Sequence, residues 1–284
     1  MTGTLQPHAI GTLFRRAGTM VRANFELFIL LAALWTVLNT AAAWPIQRRM
    51  TAFQAEIRGA TDPQVVWPAL ADILPWILAL LAIGAILFGI FTVIWVRAVA
   101  RGRNTVFAPG FGRRVLDVVV RYLALLGHSL LLALAILLAL LLLKAVNGLS
   151  GALLGAGAAA GIKMVLSVLL GLASLIAFFA LVSAFLVASA GAVLERRLPL
   201  FLTTRELLRA HRRFIVAFLL LLLLAALAVL VIAFAFGAEP DAPQSLWQSL
   251  SSGFVGSCVN LFALAMGLVA LDDRGSATEN LEPA

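Results

Sequence analysis

Few residues in this chain have side chains that could do chemistry, and most of those lie inside apolar runs. His128 could relay a proton or touch a substrate, although such a histidine more commonly bonds to a neighbouring helix. Asn39 stands with Thr36 and Thr40, and Asn260 with Ser257, so two further apolar runs carry amides and hydroxyls. A substrate path would gather His128, Asn39 and Asn260 in one cavity. Hydrogen bonding between helices is the simpler use of each. No carboxylate or base falls in the middle of a run, which weighs against a proton-coupled carrier. There is no P-loop, no His-Glu-x-x-His, no cysteine pair and no Gly-x-Ser-x-Gly elbow. No catalytic residue, cofactor or metal site is therefore expected, and Asp272-Asp273 reads as a solvated helix end. Cys258 reads as a small buried hydrophobe.

The elements that hold these residues are membrane spans. Of 284 residues, 63% are hydrophobic and 12% charged, about half the charged share usual for a soluble domain. That composition excludes a soluble enzyme, a disordered tail and a fibre. Apolar runs long enough to cross a bilayer as helices recur six times. They run from about Phe25 to Trp44, Ala69 to Val96, Tyr122 to Leu143, Met164 to Leu194, Phe214 to Phe236 and Trp247 to Leu271. The chain reads as a single six-span domain over 1–284. Ala41-Ala42-Ala43 also resembles a signal-peptide cleavage site, but the run before it is long enough to span and is preceded by an amphipathic stretch.

The net charge of +8 and pI near 11.3 fit segments facing anionic headgroups, not nucleic acid. Sixteen of the 21 Lys and Arg residues fall on the side holding both termini, and five on the other. The positive-inside rule puts both termini in the cytoplasm. The last far-side loop, with Glu239 and Asp241 and no base, agrees. Glu26, four residues after Arg22, suits a surface ion pair with it.

The basic segments are patterned. Ile10, Leu13, Phe14, Ala17, Met20 and Val21 recur at helical spacing, with Arg15, Arg16 and Arg22 on the opposite face. Arg113, Arg114 and Arg121 flank Val115, Leu116, Val118 and Val119 before the third span. Arg205, Arg209, Arg212 and Arg213 flank Leu207 and Leu208 before the fifth. Each is read as a basic amphipathic helix in the membrane interface, its arginines contacting anionic lipid. Spans two, four and six end alike, as Trp95-Val96-Arg97, Leu194-Glu195-Arg196 and Leu271-Asp272-Asp273-Arg274. The expected architecture is all-α: a polytopic bundle of six transmembrane helices in three hairpin repeats, each preceded by such a helix. The repeats cover 1–103, 104–197 and 198–274, with a tail at 275–284. Positive-inside loops alone would give part of this pattern. The far-side segment Asn147 to Gly161 is Gly/Ala-rich and reads as a linker or a partly inserted loop.

Phe14-Arg15-Arg16 … Arg22-Ala23-Asn24-Phe25, Val193-Leu194-Glu195-Arg196 and Arg205 … Arg209 … Arg212-Arg213-Phe214 resemble the YciC-like bacterial inner-membrane proteins. They also resemble the related membrane domain fused to some glycerophosphodiester phosphodiesterases. The resemblance covers the whole chain and implies a multi-pass protein of the bacterial inner membrane, with no catalytic residues to carry over. With no catalytic domain attached, phosphodiesterase activity is not expected. The function that follows is non-enzymatic, with membrane lipids or a protein partner in the membrane as the object: envelope organisation, or a membrane subunit. A small permease for an amphipathic or lipid-like substrate is the alternative.

Overall fold

Runs of Leu, Ala, Val and Ile without charge satisfy their backbone most cheaply as helices, and every long apolar run here is one. The computed structural model describes residues 9–57, 63–154, 156–196, 198–210, 212–236 and 245–271, and those residues form helices and short connections, with no strand among them. In chain order the helices are α1 (Ile10–Ala23), α2 (Phe25–Ile57), α3 (Pro63–Arg101), α4 (Phe111–Leu154), α5 (Ala156–Val193), α6 (Leu200–Ala210), α7 (Arg212–Ala235) and α8 (Leu246–Leu271). A 3-10 turn, Arg103–Thr105, follows α3. Six of these helices are long and apolar enough to cross a membrane: α2, α3, α4, α5, α7 and α8. The architecture is that of a multi-pass membrane protein.

The packing order is regular. α2 and α3, α4 and α5, and α7 and α8 form three hairpins. The second helices, α3, α5 and α8, touch one another. Each first helix lies against its own partner and against the second helix of the preceding hairpin. Thus α4 meets α5 and α3, α7 meets α8 and α5, and α2 meets α3 and α8, which closes the ring.

Burial is concentrated at the end of the bundle where the arginines cluster, called here the basic end. There lie Trp95, Val96, Leu186, Val187, Val193, Leu264, Met266 and Leu271, all at 2% exposure or less. Close approach explains the choice of residue at two points. A Cβ on Gly267 of α8 would meet the backbone of Leu186 and Val187 of α5 at 3.5 Å, and one on Gly89 of α3 would come within 3.1 Å of the Val115 carbonyl oxygen of α4. Small residues let helix backbones approach where lipid supplies no hydrophobic drive for association.

Several expectations are corrected. Residues 111–121 are not a separate interfacial helix, because α4 runs unbroken from Phe111 into the third span. Val118 is fully buried there and Val115 packs on the core, whereas Leu116 stays exposed, as along the rest of the span. Residues 147–154 and 156–161 belong to α4 and α5, so the Gly/Ala-rich segment is helical and no linker. α2 passes through Pro45 to Ile57, well beyond Trp44. Glu26, at the start of α2, lies 3.5 Å from Arg103 just after the neighbouring α3, an exposed pair that replaces the expected partner Arg22. Asp272, Asp273, Arg274, Glu239, Asp241 and the tail at 275–284 lie outside the described residues.

Candidate functional site: a basic collar and a polar crevice

Two places gather polar groups, one at each end of the bundle.

At the basic end, α1 is amphipathic as its spacing requires, but its apolar stripe faces protein. Leu13 and Ala17 are buried, and α1 packs on α8 and α7. Phe14 sits 6.0 Å, centroid to centroid, from Phe262 of α8. The expected docking of that stripe into the acyl boundary is thereby corrected, since α7 and α8 already cover it. Arg15 and Arg22 are exposed and Arg16 half-buried on the other face. α6 repeats the arrangement. Leu207 and Thr203 are buried, α6 packs on α5, and Arg205 and Arg209 are exposed. Arg212 and Arg213, at the start of α7, are exposed too, and the Arg212 Nε donates to the Leu208 carbonyl at 3.0 Å.

The middle group divides. Arg113 is exposed, whereas Arg114 is held inside by Asp117 at 3.2 Å and Glu195 at 2.9 Å. Arg121 donates to the Asp117 carbonyl at 3.0 Å. Those two arginines tie α4 to itself and to the end of α5, and Arg113 is the exposed member of the group.

Two arginines that charge counting treated only as topology signals carry structure. Arg97 is 3% exposed, and its Nη1 donates to the Val106 and Ala108 carbonyls at 3.2 and 3.0 Å. It closes the turn that links α3 to α4. Arg196 donates through Nη1 to the Leu271 carbonyl, satisfying one of the carbonyls left open at the C-terminus of α8. The signal was the shared ending of the even spans, Arg97 and Arg196 among them. It pointed to a repeat, and the capping it also encodes needed coordinates. Glu195 has φ +67°, and the amides of Glu195 and Arg196 bond to the Ala192 and Gly191 carbonyls, a Schellman closure of α5.

At the far end, a cavity of about 360 Å³ lies between α2 and α8, lined by Asn39, Thr40, Ala43, Gln47, Ser249, Ser252 and Gly253. The Thr36 and Ser257 hydroxyls meet at 3.0 Å one turn nearer the basic end, in a buried contact between the same two helices. Beyond it the Trp35 and Phe91 rings stack at 5.3 Å. The crevice is therefore a blind one.

The three polar residues singled out from the sequence do not gather there. Asn39 lines the crevice. Asn260 shares α8 with its lining but lies two turns beyond Gly253 and is half-buried. His128 is on α4, which packs on α3 and α5, and its Nδ1 lies 2.6 Å from the Ala124 carbonyl of its own helix. No group of three or more His, Cys, Asp or Glu side chains suited to a metal occurs among the described residues.

No protein-family model matches the chain, and no curated protein or solved structure matches it either.

Proposed function

We propose that this is a non-enzymatic protein of the bacterial inner membrane, with both termini cytoplasmic, whose basic end engages anionic lipid and whose role is envelope organisation or that of a membrane subunit. The location rests on the arginine asymmetry and on the resemblance to YciC-like proteins. The fold is read as three copies of one hairpin unit, supported by the cyclic packing in which each first helix meets the second helix of the preceding hairpin. Helices α1 and α6 occupy corresponding places, α1 on α8 and α7, and α6 on α5 with a lighter contact to α4.

The observation that carries the lipid reading is how α1 is held. Its apolar stripe is fixed by the bundle, so Arg15, Arg16 and Arg22 are presented on a rigid face at the edge of span one. Each basic residue near an anionic leaflet contributes about 1 kcal/mol, screened over a Debye length of about 8 Å at physiological salt. The test uses the full chain in nanodiscs that mix phosphatidylglycerol and phosphatidylcholine, with the retained lipids counted by native mass spectrometry. Phosphatidylglycerol enrichment should fall as salt rises. Replacing Arg15, Arg16 and Arg22 together by Gln should weaken it by on the order of 3 kcal/mol if the terms add. Equal retention of both lipids, unchanged by salt, would leave these arginines as topology signals alone.

The permease reading has one observation in its favour, the polar crevice between α2 and α8. The Thr36–Ser257 contact and the packed aromatic layer below it close that crevice, so a path would require α2 and α8 to part.

A further inference from the structure

The crevice between α2 and α8 is where the bundle departs from its own threefold pattern. At the places corresponding to Thr36, Asn39 and Thr40 of α2, the first helix of the second hairpin has Ala133, Ile136 and Leu137, aligning Phe25 with Tyr122. The first helix of the third has Ala225, Ala228 and Val229, aligning Phe25 with Phe214. Among the three first helices α2 alone is polar at this level, and packing alone would not ask for that, since the other two first helices do without it.

Two rulers give the depth of the crevice. Asn39 is fourteen residues beyond Phe25 and Gln47 twenty-two, so at 1.5 Å per residue they lie about 21 and 33 Å from the basic edge of the span. Ser252 lies nineteen residues before Leu271, or about 28 Å along α8. Against a hydrocarbon core of about 30 Å, the crevice runs from the far membrane surface into the outer third of the bilayer.

The lining has a definite chemistry. It offers two amides, three hydroxyls and the small residues Ala43 and Gly253, and no charged group. The nearest arginine on α2 with a described side chain, Arg49, lies over the Trp76 ring at 4.2 Å and beside Asp72 at 3.9 Å, both on α3. Asn39, Thr40 and Gln47 have no side-chain hydrogen-bond partner among the described residues, and the Ser249 Oγ is buried with none. Polar groups at membrane depth are costly unless satisfied, so Asn39 and Thr40, unpaired and facing the cavity, call for a ligand or water. Among the described residues of the lining, a phosphate or ammonium group would find no counter-charge. A hydroxyl both donates and accepts, as do amides and the hydroxyls of Thr and Ser. Gly253 lets α2 and α8 approach, since a Cβ there would come within 3.2 Å of the Thr36 side chain, and Ala43 is the one small apolar side chain in the lining.

We propose that the α2–α8 crevice binds an uncharged polyhydroxyl group, such as a sugar or glycerol moiety, entering from the far side of the membrane. The source is either the headgroup of a neutral glycolipid or a free polyol. The lipid reading of the basic end does not bear on this site, and the two fail separately.

The test places the full chain in phosphatidylcholine nanodiscs and measures retention of a monoglucosyl diacylglycerol by native mass spectrometry, with free maltose as competitor. The glycolipid should be retained over phosphatidylcholine. Asn39→Leu and Gln47→Leu should each lower retention about fivefold, the loss of one neutral hydrogen bond or two. Ser249→Ala removes only an unpaired hydroxyl, so it leaves the fold intact and should lower retention about threefold. Displacement of the glycolipid by maltose at equal concentration would identify a free polyol as the source. Retention no better than that of phosphatidylcholine, with no binding of maltose, would overturn the proposal. So would unchanged retention by the Asn39→Leu and Ser249→Ala variants.

Discussion

The two ends of the bundle are made from the same kind of residue and behave differently. At the basic end, α5 presents Ala188, Ala190 and Gly191, and α8 presents Ala263, Ala265, Gly267 and Ala270, and there the helices close to backbone contact. Towards the far end, α4 presents Leu134, Leu137, Leu138, Leu141 and Leu142, and all five are more than half exposed. Hydrophobicity is equal or higher there, yet packing is lost. The reason is the solvent. Lipid tails are as apolar as leucine, so leucine gains little by leaving them for another helix. Small residues gain, because they let backbones approach and multiply van der Waals contacts. In this molecule small residues mark where the helix backbones meet, and large ones such as Trp95, Leu264 and Met266 fill the space around those contacts.

The sharpest way to break this comparison is a matched pair of truncations. Leu264 is fully buried on α8, and Leu138 is 59% exposed on α4. Leu264→Ala should destabilise by about 2 kcal/mol, the lower part of the usual range, because lipid or detergent supplies much of the transfer term and the cavity term remains. Leu138→Ala should change stability by less than about 0.5 kcal/mol. Thermal unfolding in a single detergent reads both. Equal effects would mean that the far half of α4 is packed in the membrane, against a partner or a second copy.

The second prediction concerns how the basic end is locked. Arg97 satisfies two carbonyls from a nearly dry position. Arg97→Met keeps most of the side-chain volume and orphans both carbonyls, at a cost of about 1–3 kcal/mol. The neighbouring exposed arginine, Arg101, should tolerate the same change within about 0.5 kcal/mol. Midpoints of denaturant unfolding distinguish the two. Similar values would show that charge at this end matters only for topology.

How much of this was legible in the sequence follows from what each signal encodes. The six helices were legible because backbone satisfaction in lipid leaves a continuous apolar run few alternatives. The helical spacing of Ile10, Leu13 and Ala17 showed a face to be covered, and could not say that α7 and α8, not lipid, cover it. Both surfaces are equally apolar. The run from Arg113 to Val119 showed the same kind of face and turned out to be the first turns of α4, since no breaker separates it from the span. His128 attracted attention as a lone titratable group in an apolar run. Its bond to the Ala124 carbonyl is local and needs no neighbour, so a search for convergent polar residues overvalued it. Asn39 was found, while Gln47, Ser249 and Ser252 were not, because their meeting depends on which helix pairs with α2. That pairing spans more than two hundred residues of sequence.

The smallest expected effect tests the seam between strain and charge at the basic end. Glu195 holds a left-handed conformation, φ +67°, that costs a non-glycine residue about 1 kcal/mol and that glycine adopts freely. The same residue places its carboxylate 2.9 Å from the Arg114 guanidinium. Glu195 is more than half exposed at its side chain, so the pair contributes well under 1 kcal/mol after screening. Glu195→Gln removes the charge and keeps the strain, and should destabilise by about 0.5 kcal/mol, less at high salt. Glu195→Gly removes both, so relief of strain should offset the lost pair and bring stability to the wild-type value or slightly above it. If Glu195→Gly were instead clearly less stable than Glu195→Gln, the backbone at this turn would not be what limits the site. Since both variants lack the carboxylate, that difference would assign the stability to the rest of the Glu195 side chain, which Gln keeps and Gly does not.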